Sequence, residues 1–95
     1  MTTKERATLR SAAMSEKACS YIGKEGPTEP VIKGIGDALT ARELIKISVQ
    51  ETCPMSTKEI CDMLCGELGA QAVQLIGRKI IIYKRNKDID RYGVL

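Results

Sequence analysis

The chain has no histidine, no tryptophan and no phenylalanine among its 95 residues, and only 3 tyrosines. Without histidine, no side chain titrates ordinarily near neutrality, so general acid–base catalysis lacks its commonest carrier and metal binding its commonest ligand. The shortage of rings weighs against a surface that reads unpaired bases one by one, because such surfaces stack bases on aromatic side chains. Tyr21 and Tyr83 fall in predicted strands and Tyr92 near the end of the chain. Neither G-x-x-x-x-G-K-[ST] nor G-x-G-x-x-G occurs, which removes two common nucleotide-binding fingerprints. No apolar run approaches the roughly 20 residues of a membrane span or carries the flanks of a signal peptide. The expectation is a soluble, cytoplasmic protein that is not an enzyme and has no cofactor, no small-molecule substrate and no membrane partner.

Four cysteines, Cys19, Cys53, Cys61 and Cys65, are present without any C-x-x-C pair. Their spacing matches no common zinc site, and nothing points to the secretory route in which disulfide frameworks form. Cys61 and Cys65 fall four apart on a predicted helix, where reduced cysteines pack as small apolar residues. No metal site is expected.

The length suits one domain with a modest core. Residues 1–87 are assigned to it and residues 88–95 to a flexible polar tail. Net charge is only +3, but it is unevenly placed. Residues 1–28 hold five basic and three acidic side chains, residues 29–76 four and seven, and residues 77–95 six and two. Basic ends around an acidic middle suit an anionic macromolecule better than a small substrate.

Periodicity gives the order α-β-α-β-α-β-β. Thr2 with Glu5 forms a capping-box signal for a helix reaching about Met14, with Arg6 and Arg10 on one side. A strand follows at Ala18 to Ile22. Thr28 is placed to cap a second helix with Val31, Ile35 and Leu39 on one face, although Gly34 and Gly36 each weaken it by about 1 kcal/mol relative to alanine. Leu44 to Gln50 alternates as a half-buried strand with Ile45, Ile47 and Val49 inward. Ser56 with Glu59 opens a third helix that stops near Gly69. Val73 to Ile76 and Lys79 to Tyr83 read as a hairpin joined by a type II′ turn at Gly77-Arg78. Two crossovers then make the first three strands parallel to one another and the closing strand antiparallel, a two-layer α+β fold with a four-stranded mixed sheet. Glu43, Glu51, Glu59, Asp62 and Glu67 are expected mostly on solvated surfaces.

Between the first strand and second helix lies Gly23-Lys24-Glu25-Gly26, a G-x-x-G loop. Glycine permits close backbone approach and positive φ, and the helix start that follows points N–H groups at an arriving anion. KH modules clamp RNA backbone with such a loop. Lys24 adds an ammonium and Glu25 offsets part of its charge. Arg78, Lys79, Lys84 and Arg85 appear from sequence as one cluster at the last hairpin, and Lys46 projects from the second strand.

The helix-one pair Leu9-Arg10, the segment Ile22-Gly23-Lys24-Glu25-Gly26, the run Ala41 to Ile47, and Val73 to Ile80 with Tyr83-Lys84-Arg85 occur in the order found in the YhbY family. The chain from Lys4 to Arg85 resembles that family, the free-standing bacterial form of the CRM domain, named for chloroplast RNA splicing and ribosome maturation. The resemblance implies an RNA-binding fold similar to the C-terminal domain of translation initiation factor 3, with strand order 1-2-4-3. It also implies ribosomal RNA in large-subunit precursors as the partner, with ribosomal proteins open as additional ones. Gly23, Lys24, Glu25, Gly26, Arg6, Arg10, Lys46, Arg78, Lys79, Lys84 and Arg85 are the expected RNA-binding residues. A protein-binding adaptor working through the acidic middle or an edge strand is the alternative.

Overall fold

The computed structural model describes residues 2–89 and Tyr92. Its elements run α1 (Thr3–Ala13), β1 (Ala18–Ile22), α2 (Glu29–Arg42), β2 (Leu44–Val49), α3 (Thr57–Leu68), β3 (Gln71–Ile76) and β4 (Lys79–Tyr83). The expected tail, residues 88–95, falls largely outside the described residues. Of it, Ile89 closes a turn by donating its N–H to the Asn86 carbonyl at 3.1 Å.

The four strands form one sheet in the order β1-β2-β4-β3. β1 runs parallel to β2, and β4 is antiparallel to both its neighbours, β2 and β3. The closing turn has Gly77 at φ +54° and no positive φ at Arg78, the type II′ pattern that fits the right-handed twist of a hairpin. β3 starts two residues earlier than its apolar run because Gln71 and Ala72 pair with Tyr83 and Ile82. Backbone pairing extends where side-chain periodicity gives no signal.

Both predicted capping boxes form. Thr2 and Glu5 exchange bonds of 2.8 and 3.1 Å at α1, and Ser56 and Glu59 exchange two of 3.1 Å at α3. Such caps satisfy N–H groups that the helix itself leaves unpaired. At the other end of α3, Gly69 takes φ +67° as the C-cap.

The main core lies between one sheet face and α2 with α3. Ile35 and Leu39, Ile60 and Leu64, Ile45, Ile47 and Val49, and Ile80 and Ile82 are all buried there. Packing accounts for one glycine of α2: a Cβ on Gly36 would sit 3.1 Å from Leu68 Cδ2, so glycine lets α2 approach α3 closely, whereas a Cβ on Gly34 would meet nothing within 4 Å. α1 takes the opposite face, where Leu9 and Ala13 pack on Leu44, Val73, Ile81 and Tyr83. The expected two layers thus gain a partial third. Element alternation carries no information about which face an N-terminal helix covers.

Glu43 departs from its expected solvated place. It is fully buried and ends α2 at φ +66°. Its carbonyl accepts the Lys84 N–H at 2.9 Å, and its carboxylate accepts the Asn86 N–H at 2.9 Å. Asn86 Nδ2 donates back to the Thr40 carbonyl at 2.7 Å. The α2–β2 junction is thereby fastened to the segment after β4.

Candidate nucleic-acid interface

The G-x-x-G loop is a tight turn. Gly26 donates its N–H to the Gly23 carbonyl at 3.0 Å, leaving exposed Lys24 and Glu25 at the tip. Gly26 has φ +72° and no atom within 4 Å of where a Cβ would sit, so glycine is favoured there by backbone conformation and not by crowding. Gly23 differs, since it has no positive φ. A Cβ at Gly23 would lie 2.7 Å from Gln50 Oε1, so it accommodates the Gln50 side chain.

α2 begins immediately after this loop. Thr28 adopts N-cap geometry at φ −73° and ψ 166°, yet its hydroxyl makes no capping bond. The first-turn N–H of Val31 therefore lacks the acceptor that a capping hydroxyl supplies to Glu5 at α1 and to Glu59 at α3. Pro30 brings no N–H. A phosphate oxygen is a suitable acceptor at such a helix start. The carboxylates of Glu25 and Glu29 reduce the positive potential, so an anion here depends on backbone donors and neighbouring cations.

Those cations come from the hairpin turn. Gln50 donates its N–H to the Ile22 carbonyl at 2.8 Å, Val49 to the Arg78 carbonyl at 2.7 Å, and Arg78 Nη1 reaches the Gln50 carbonyl at 3.5 Å. Ile22, Gln50 and Arg78 thus tie the glycine loop and the β3–β4 turn to one end of the sheet. Lys79 is exposed beside them, paired across the sheet with Ser48 and Ile76. Lys46 is half-buried, between Ala18 and Ile81 in the adjoining strands. Arg10 lines a surface hollow with Met14, Gln74 and Ile76, and exposed Arg6 lies one turn earlier on α1.

The single basic cluster expected at the last hairpin is divided. Arg78 precedes β4 and Lys79 opens it, while Lys84 and Arg85 follow it, at the opposite end of a strand that advances about 3.3 Å per residue. Lys84 and Arg85 instead border a hollow with Leu39, Thr40 and Asn86. Neighbours in sequence were separated because an extended strand moves its two ends far apart.

Sequence reasoning missed Gln50 and the exposure of Tyr21. Gln50 was legible as an outward residue at a strand end, but its contact with Gly23 depends on the parallel β1–β2 register. Tyr21 lies in β1 as expected, with 63% of its surface exposed. Tyr83 is fully buried and meets Tyr92 edge-on, with ring centroids 6.2 Å apart.

The cysteines provide no reactive centre at Cys61 and Cys65. Burial, foremost, pushes the Cys65 thiol up to about 12, and burial raises that of Cys61 as well. Thiolate is the nucleophile and the metal ligand, so both remain inert at neutral pH. Among the described residues no group of three or more His, Cys, Asp or Glu side chains is placed to hold a metal ion.

A family model described as the CRS1 / YhbY (CRM) domain matches residues 1–84. The chain belongs to this family. The CRM domain is an RNA-binding family and not an enzyme family. Among similar proteins, the one named probable RNA-binding protein YqeI from Bacillus subtilis (strain 168) is 38% identical over 88 residues, covering 93% of this chain and 92% of that protein. A protein of Haemophilus influenzae (strain ATCC 51907 / DSM 11121 / KW20 / Rd) named RNA-binding protein is 28% identical over 88 residues, covering 93% and 89%. A hypothetical protein of Staphylococcus aureus, for which RNA binding has been put forward, has a solution structure that matches this CRM domain with a TM-score of 0.78. It is 38% identical, and the match covers 92% of this chain and 91% of that one.

Proposed function

We propose that this CRM domain binds structured ribosomal RNA by its phosphates, at the end of the sheet where the Gly23–Gly26 loop meets Arg78 and Lys79. The observation that carries this reading is the loop itself: a glycine turn, with Gly26 at φ +72°, leads into an α2 start that lacks a hydroxyl cap. Backbone donors hold a phosphate there, and Lys24, Arg78 and Lys79 supply positive charge around it. Relatives named as RNA-binding proteins support RNA as the partner. The family resemblance points further, to a cytoplasmic role in assembling the large ribosomal subunit, with ribosomal proteins as additional contacts.

Two measurements test this function. With about four to six phosphate contacts, the log–log dependence of RNA affinity on salt has a slope of roughly −3 to −5. A flat titration rejects phosphate binding. In cell extracts the protein should sediment with large-subunit precursors; finding it only as free protein, or only on translating ribosomes, rejects the assembly role. The adaptor alternative draws on Leu75 and Ile76, which are exposed on the edge strand β3. Partner capture that survives high salt and is lost on Ile76→Lys would favour it.

A further inference from the structure

The sheet face that carries α1 is only partly covered. Register places Tyr21, Ser48, Lys79 and Ile76 side by side across all four strands, so these side chains share that face. α1 packs over the neighbouring part of the same face, through Leu9 and Ala13 on Leu44, Ile81 and Tyr83. The Tyr21 row remains open: Tyr21 is 63% and Ile76 53% exposed, and Lys79 is exposed between them. Lys46 stands two residues before Ser48 on the same side of β2.

Tyr21 is also two residues before Gly23. In extended chain that separation is roughly 7 Å, which sets the ring beside the turn that is read above as a phosphate clamp. A phenol offers a flat apolar face and a polar tip, which suits a flat heterocycle in partial contact with water. Lys46 and Lys79 on the same face favour an anionic ligand, and the row itself holds no carboxylate.

We propose that Tyr21 is a stacking site for one unpaired base of the bound RNA, with Lys46 and Lys79 meeting the phosphates that flank it. This rests on the phosphate-binding reading of the neighbouring loop and adds a preference to it. The domain grips backbone at Gly23–Gly26 and distinguishes RNA with an unpaired nucleotide beside the stem from fully paired RNA. One exposed ring accepts one base, so the preference is for a junction or tail and not for long single strands.

The test uses a short RNA duplex carrying a single-stranded adenosine tail and the same duplex blunt-ended. Both are titrated into the parent protein, Tyr21→Phe and Tyr21→Ala, after thermal unfolding shows that each variant is folded. The parent should prefer the tailed RNA. Tyr21→Ala should lose roughly 5- to 100-fold in affinity for it and bind the blunt duplex as the parent does, while Tyr21→Phe keeps the preference. Quenching of tyrosine fluorescence by the tailed RNA should occur in the parent and be weaker in Tyr21→Phe. If Tyr21→Ala binds tailed RNA within twofold of the parent, or loses both RNAs equally, the stacking site is wrong while salt-dependent binding of the blunt duplex still upholds the phosphate reading. If the parent binds neither RNA in a salt-dependent way, both are overturned.

Discussion

Replacing Glu43 tests whether a buried carboxylate holds the α2–β2 junction to the segment after β4. Glu43→Ala removes the acceptor of the Asn86 N–H, a bond of 2.9 Å at a fully buried side chain. Losing a partly buried hydrogen bond to a charged acceptor costs about 1–3 kcal/mol, and the lost packing of the side chain brings the expected total to about 2–4 kcal/mol. The backbone supplies a second comparison. At φ +66° any residue with a Cβ is strained by about 1–2 kcal/mol, and glycine is not. Glu43→Gly should therefore be the more stable of the two variants by about 1 kcal/mol after its extra unfolded-state entropy is counted, the reverse of the order expected inside a helix. Urea denaturation reads both effects. With m about 1.5 kcal/mol/M, the midpoint of Glu43→Ala falls by about 1–3 M. A midpoint within 0.3 M of the parent, taken as about 0.5 kcal/mol, would refute the role of the carboxylate. A glycine variant weaker than the alanine variant would refute the strain. Under conditions where it remains folded, Glu43→Ala should bind RNA within twofold of the parent, because the glycine loop lies at the other end of β2.

Gly26→Ala should cost about 1–2 kcal/mol of stability through its positive φ and weaken RNA binding, whereas Gly23→Ala need only displace the end of Gln50 and should perturb stability less; equal unfolding midpoints for the two would contradict this. Lys24→Ala should reduce the salt slope by roughly one unit and leave stability unchanged, which a titration at several salt concentrations measures. Ser56→Ala should destabilise by about 1 kcal/mol in urea through loss of the α3 cap. The hydrogen bonds from Ser56 hold the Glu59 carboxyl below its usual range, so its contribution is present above the unfolded pKa and is lost as pH falls through the folded one. Acid titration of the parent should accordingly show a steeper loss of stability than that of Glu59→Gln. Cys61 and Cys65, with thiols raised by burial, should resist iodoacetamide at pH 8 in the native protein and react in urea, as peptide mass mapping would report.

The fold was legible where a local rule acts alone. Both capping boxes, the II′ turn at Gly77 and the inward set Ile45, Ile47 and Val49 depend on residues close in sequence, and each occurs as read. What escaped depends on partners far along the chain. The face chosen by α1 is decided by Leu44, Val73, Ile81 and Tyr83, none of which neighbours Leu9 in sequence. Glu43 looked like one more surface acid because its partner, Asn86, is 43 residues away. The same limit applies to the candidate site. The glycine loop was visible as a motif, but its contact with Gln50 and Arg78 follows from strand register, and the ring of Tyr21 was discounted because strand membership alone does not say which face is open.

The strand order also fixes when the molecule can become a domain during synthesis. β4 is the last of the described strands along the chain, yet it lies between β2 and β3 and pairs with both. Until Ile80, Ile81 and Ile82 emerge from the ribosome, β2 has an apolar edge with no partner, and β3 has no sheet to join. The β1–β2 pair, α3 and β3 must therefore wait, at a synthesis rate of about 5–20 residues per second, for a segment that closes both gaps at once. Contacts of such long sequence separation slow folding and make it concerted. β4 acts as a keystone: a chain that stops short of it loses the covered core, the hairpin cations and the open tyrosine row together.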